Sequence, residues 1–205
     1  MILAVLASDL QKDEIAASVF FRKQEVIFSE NHSLWAHHNA DAYLDLTFVP
    51  GKEKIEQLAK LLPKPVLINS VTETLSEIHS DFIRINGWPG FLKGNLLEAA
   101  ASAEQQELIK KLFGDQIVFV KDSPGFVSAR VVAMIINEAY FTWEAGTSTK
   151  EEIDIAMKLG TAYPYGPFEW GERIGLHRVA ELLKKLSLNN TIYELAETLV
   201  NVANL

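Results

Sequence analysis

The sequence predicts an α/β domain with a mostly parallel sheet over residues 1–120, followed by an all-α domain over residues 121–205. Three observations carry that reading. Short apolar runs alternate with helical patterns through the first part, the order expected of βαβ units. A long apolar stretch, KDSPGFVSARVVAMIINEAYFTWEAG, then occupies residues 121–146. Beyond it every periodic segment is helical.

In chain order, residues 2–6 (ILAVL) form a buried strand and residues 10–21 a helix with Ile15, Val19 and Phe20 facing inward. Strands follow at 25–29, 43–49 and 65–69, with a helix at 52–62 between Gly51 and Pro63. Residues 81–86 and 95–99 are further strands, 103–113 a helix and 116–120 a last strand. The 124–145 helix opens at Ser123, a capping residue, and Pro124, which fits a first helical position. Its length is about 22 residues, roughly 33 Å. Apolar residues point all around it, which predicts burial on nearly every side. Thr149 and Glu152 make a capping box for a helix running to Lys158 and ending at Gly160. AYPYGPFEW, residues 162–170, holds two prolines and a glycine and is expected to be a fixed loop packed on the long helix. Residues 176–186 and 192–202 read as amphipathic helices.

Composition narrows the function. A formal net charge of −8 argues against a phosphate-backbone partner, so no nucleic acid is expected. The absence of Cys excludes disulfides and thiolate chemistry. No apolar run reaches the roughly 18 residues of a membrane span, because Asn137 and Glu138 interrupt the best one. MILAVLAS lacks a basic leader and runs at once into Asp9, Lys12, Asp13 and Glu14, so a cytoplasmic protein is expected. His37 and His38 are adjacent, which points them apart on regular backbone, and no further ligand stands at a metal-site spacing, so no metal is expected.

KDSPGF at 121–126, the apolar helix, EEIDIAMKLG at 151–160 and YPYGPFE at 163–169 together resemble the C-terminal domain of the 3-hydroxyacyl-CoA dehydrogenases. The resemblance is clear from about residue 65 to 183. It implies a Rossmann-like N-terminal domain that binds NAD, here abridged, and a helical domain that dimerises. It also implies an acyl-CoA-like ligand lying in the cleft between the two.

Carried over by position, the family's residues are largely replaced. Rossmann enzymes use G-x-G-x-x-G so that backbone N–H groups can close around a pyrophosphate. Here Ala7, Asp9 and Lys12 stand at the three glycine positions, and Asp9 places a carboxylate where the helix N-terminus would receive an anion. Glu30 falls at the position of the ribose-binding acid and is read as a solvated turn residue. Asn86 and Glu98 take the places of the family's His–Glu pair, and Asn cannot accept a proton near neutral pH. Ser70 and Thr72 fall in the family's hydroxyl-bearing loop, and Ala129 replaces a substrate-binding Asn. His79 precedes Asn86 by about 20 Å of extended chain, too far to substitute for the base.

Two functional readings follow. The favoured one is a dehydrogenase-like protein that uses no cofactor, has lost its general base and serves as a homodimeric binding or assembly module. The alternative is an active oxidoreductase on 3-hydroxyacyl-CoA or a related hydroxy acid, with NAD bound in an unusual mode.

Overall fold

The computed structural model describes residues 1–37 and 39–204; His38, one half of the adjacent histidine pair, lies outside them. The chain divides into two compact units, Met1–Phe126 and Val127–Leu205.

The first unit is a Rossmann-like, seven-stranded sheet. Its strands are β1 (Ile2–Leu6), β2 (Glu25–Phe28), β3 (Ala42–Asp45), β4 (Val66–Asn69), β5 (Ile83–Ile85), β6 (Leu97–Ala100) and β7 (Ile117–Phe119), in the order β2-β1-β3-β4-β5-β6-β7. Every adjacent pair is parallel except β5 with β6. Helices α1 (Asp9–Ala17), α2 (Lys52–Ala59), α3 (Leu75–Ile78) and α4 (Ala103–Phe113) complete the unit. The inner strands are mostly apolar because both of their faces are covered. Leu3, Val5, Leu44, Leu67 and Ile85 pack with Ile15, Ile109 and Phe113 on one face. Ala4, Tyr43, Val66 and Ile68 pack with Trp35, Leu58 and Phe82 on the other. The chain steps from β1 out to β2 and returns on the opposite side as β3. That reversal creates the switch point at which open α/β sheets leave a crevice beyond the strand C-termini.

Several element ends differ from expectation for local reasons. α1 stops at Ala17 and a 3-10 turn takes Phe20–Lys23, with Ser18 Oγ accepting the Phe20 N–H at 3.2 Å. β3 ends at Asp45 because its carboxylate accepts the Thr47 N–H at 2.9 Å and closes a turn.

The second unit is all helical: α5 (Ser128–Glu144), α6 (Lys150–Thr161), α7 (Pro167–Ile174), α8 (Leu176–Ser187) and α9 (Glu197–Ala203). α5 is shorter than predicted. Gly125 and Phe126 both have positive φ, so the helix cannot begin at Pro124. Nor is it covered all round, since Val131 is 50% and Phe141 39% exposed. α6 passes through Gly160 to a left-handed Ala162. Its capping box is present, and hydrogen bonds from Ser148 and Thr149 hold the Glu152 carboxyl below its ordinary range.

The expected loop at 162–170 is in fact the entry to α7, with Pro167 in its first turn. The N–H groups of Phe168 and Glu169 are taken by the Asp154 carboxylate of α6, at 2.8 and 3.1 Å. A Cβ on Gly166 would collide with that carboxylate, so glycine is needed there. The aromatic packing expected of this segment is present: Phe168 is 6% exposed and its ring lies 5.0 Å from that of Tyr140. The helix expected at 192–202 is split, because buried Asn137 of α5 bonds the Glu194 carbonyl (2.8 Å) and the Ala196 N–H (3.0 Å) and holds that stretch open. Among the described residues no helix is long and apolar enough to cross a membrane.

Candidate cofactor crevice

The candidate site lies at the C-terminal ends of β1, β3, β4 and β5, where α1 begins. Ser8 caps α1: its Oγ accepts the Gln11 N–H at 3.4 Å, while Gln11 Oε1 accepts the Ser8 N–H at 3.0 Å. Of the residues at the glycine positions, Ala7 is half-buried. Asp9 is the first helical residue, with its side chain 98% exposed, and pairs at 3.0 Å with Lys12. Such a surface pair contributes little to stability.

The residue that decides the crevice is one that composition and motif matching miss. Gln11 is 2% exposed, and its Nε2 donates to the carbonyls of Leu46 (3.1 Å) and Gly87 (2.9 Å). The available signal was Ser8 with Gln11 three residues on, a capping-box spacing at the mouth of a sheet.

A pyrophosphate at this turn needs free backbone N–H groups and close backbone approach. Here the N–H groups of Ser8 and Gln11 are engaged by each other's side chains, every glycine position carries a Cβ, and an acidic side chain stands at the first helical residue. The residues present do not fit NAD held in the Rossmann manner. Glu30 is exposed just beyond β2.

Asn86 and Glu98 are brought together. The two residues lie beside each other where β5 and β6 run antiparallel, with the Asn86 N–H on the Glu98 carbonyl at 3.1 Å and Asn86 Nδ2 3.5 Å from Glu98 Oε2. Asn86 is 2% exposed and Glu98 half-buried. The carboxamide donates to the carboxylate, and its Oδ1 accepts the Trp88 N–H at 3.4 Å, so Asn86 serves as a hydrogen-bonding link and not as a general base.

Ser70 is buried and donates to the carbonyl and carboxylate of Glu73, while Thr72 is half-buried. Both lie in a loop that Arg84 fixes from below. Arg84 Nε donates to the Ser70 carbonyl at 2.9 Å and Nη2 to the Val71 carbonyl at 3.2 Å, while Nη1 pairs with Asp122. The guanidinium also sits 4.7 Å from the centre of the Phe126 ring. Burial pulls Arg84 below its ordinary pKa, and Asp122 opposes that by supporting the charged form. Ala129 is buried in α5 and its methyl group offers no hydrogen bond.

Of the histidines, His79 stacks on Phe82 and His177 lies 3.2 Å from Glu181. His32 stands 2.7 Å from the buried Asp45 carboxylate and 2.8 Å from Lys54 Nζ. No group of three or more potential metal ligands occurs among the described residues.

Comparison with known proteins ties this architecture to a family. The family model described as "3-hydroxyacyl-CoA dehydrogenase, C-terminal domain" matches residues 125–204. A 3-hydroxyadipyl-CoA dehydrogenase of Escherichia coli is 44% identical over 73 residues, which are 36% of this chain and 15% of that protein. The human mitochondrial hydroxyacyl-coenzyme A dehydrogenase is 46% identical over 66 residues, 32% of this chain and 21% of that protein. The matched segments therefore span a minor part of these relatives. The crystal structure of an (S)-3-hydroxybutyryl-CoA dehydrogenase from Ralstonia eutropha superposes with a TM-score of 0.73, covering 99% of this chain and 93% of its own. At 17% identity that likeness shows the fold. Residues 125–204 thus form a 3-hydroxyacyl-CoA dehydrogenase C-terminal domain, and the residues before them share the fold of such enzymes.

Proposed function

We propose that this protein is a non-catalytic member of its family, a homodimeric module that binds an acyl-CoA-like small molecule or assists assembly, and that it takes up no NAD. The observation that carries the reading is the Asn86–Glu98 pair. Its two side chains meet at 3.5 Å in the sheet, so the place of the family's base and its orienting carboxylate is kept while the proton acceptor is not. The replaced glycines at residues 7, 9 and 12 support the same conclusion, because hydride transfer requires a bound nicotinamide first. Acetoacetyl-CoA and NAD, titrated separately by calorimetry, test it. Heat with acetoacetyl-CoA and none with NAD is expected; NAD-dependent turnover would instead make the parent oxidoreductase activity the description.

The dimer rests on apolar surface of the helical unit. Val131, Phe141, Ile155 and Leu159 are exposed by 50, 39, 53 and 83%. Between α5 and α6 a cavity of about 380 Å³ opens among Ile135, Ala139, Ile153 and Met157. A second copy of this chain, placing its own helices there, would cover them. Light scattering at micromolar concentration should give twice the 22.9 kDa chain mass, and a stable monomer would refute the dimer.

A further inference from the structure

Two polar side chains of α1 are buried more deeply than helix packing requires. Gln11 is 2% and Glu14 0% exposed, and a spacing of three residues places them on one helical face. Both reach the segment that follows β5. Gln11 Nε2 donates to the Gly87 carbonyl, and the Glu14 carboxylate accepts the Gly90 N–H with its two oxygens at 2.8 and 2.9 Å.

Asn69, at the end of β4, closes the arrangement. Its Nδ2 donates to the Leu46 carbonyl at 3.0 Å and its Oδ1 accepts the Gly87 N–H at 3.0 Å. The Leu46 carbonyl thus receives two carboxamides, and both backbone groups of Gly87 are engaged. The chain passes close to its neighbours at residue 87, where a Cβ would come within 2.6 Å of Leu46 Cδ2 and 3.1 Å of the Asn69 side chain.

Backbone groups at strand ends must be satisfied by water, ligand or protein once they are buried. In open α/β sheets the crevice at the switch point is where a ligand bridges the strand ends. Here the bridging groups come from the chain itself. We infer that the Gln11 carboxamide is an internal ligand of this crevice, and that with Glu14 it tethers α1 to residues 87–90 in place of a bound cofactor. The inference rests on the reading that NAD is not held in the family manner.

Hydrogen exchange of the intact protein, followed by mass spectrometry over residues 83–91, tests the tether. Gln11→Met keeps the length and stem of the side chain but removes both donors. Gln11→Glu keeps the shape but aims an acceptor at two carbonyls. Exchange in this segment should rise at least tenfold in Gln11→Met and further in Gln11→Glu, while residues 176–187 exchange as in the wild type. Wild-type exchange over 83–91 in Gln11→Met would overturn the inference, whether or not Gln11→Glu folds. NADH titration of the same wild-type sample judges the functional reading separately, because the exchange experiment contains no nucleotide.

Discussion

In the helical unit the kinship with 3-hydroxyacyl-CoA dehydrogenases is written in side chains, since the family model fits residues 125–204. In the sheet unit the likeness is one of fold, the backbone following that of a dehydrogenase of 17% identity across nearly the whole chain. The difference follows from what each unit needs. A parallel sheet tolerates any apolar residues of suitable volume on its two faces, so β1 to β7 persist while the sequence drifts. A Rossmann crevice that holds NAD depends on a few glycines, and at those positions of the motif this chain carries Ala7, Asp9 and Lys12. α7 depends on a particular fit of Asp154, Gly166 and Phe168, which permits much less change.

The largest test of this contrast lies in the helical unit. Phe168→Ala removes a ring that is 6% exposed and packed on Tyr140, and should cost about 3–5 kcal/mol. Denaturant unfolding that shifts by less than about 1 kcal/mol would show that the packing there is as replaceable as that of the sheet.

In the sheet unit the sensitive point is polar. Asp122→Ala leaves the Arg84 guanidinium buried without its carboxylate, at a cost of about 3 kcal/mol. Combining it with Arg84→Met should recover most of the loss, as expected when one partner of a buried pair does harm only through the charge left behind. A double variant no more stable than Asp122→Ala would show that the contacts of Arg84 with the Ser70 and Val71 carbonyls dominate. The smallest effect belongs to the α6 cap: Thr149→Ala should cost about 1 kcal/mol in thermal unfolding. An unchanged midpoint would mean that Ser148 and Glu152 hold the turn without it.

Where the sequence was legible, a local rule agreed with tertiary packing. The seven strands are short, mostly apolar runs, and Thr149 with Glu152 marks the start of α6 whatever surrounds it. It was illegible where a residue answers to a distant partner. Pro164 and Pro167 read as breakers, yet Pro167 opens a helix whose N–H groups are satisfied by Asp154 in the preceding helix. Asn137 looks like an interruption of an apolar run, and its work is to hold residues 194–196 out of a helix. Arg84, a charge inside the short strand β5, was the visible sign of a buried pair that nothing nearby in sequence explains. At the site, the replaced glycines were plain. Gln11 was hidden because its partners, Leu46 and Gly87, lie 35 and 76 residues away.

The central claim, that the crevice is closed to NAD, is met most directly by fluorescence titration of the wild-type protein with NADH, run beside the Asn86→His, Ala129→Asn double variant. Neither should give saturable enhancement, and neither should reduce acetoacetyl-CoA, because restoring a base and a carbonyl contact leaves Ala7, Asp9, Gln11 and Lys12 in place. Saturable micromolar NADH binding by the wild type, with turnover of acetoacetyl-CoA, would contradict the account.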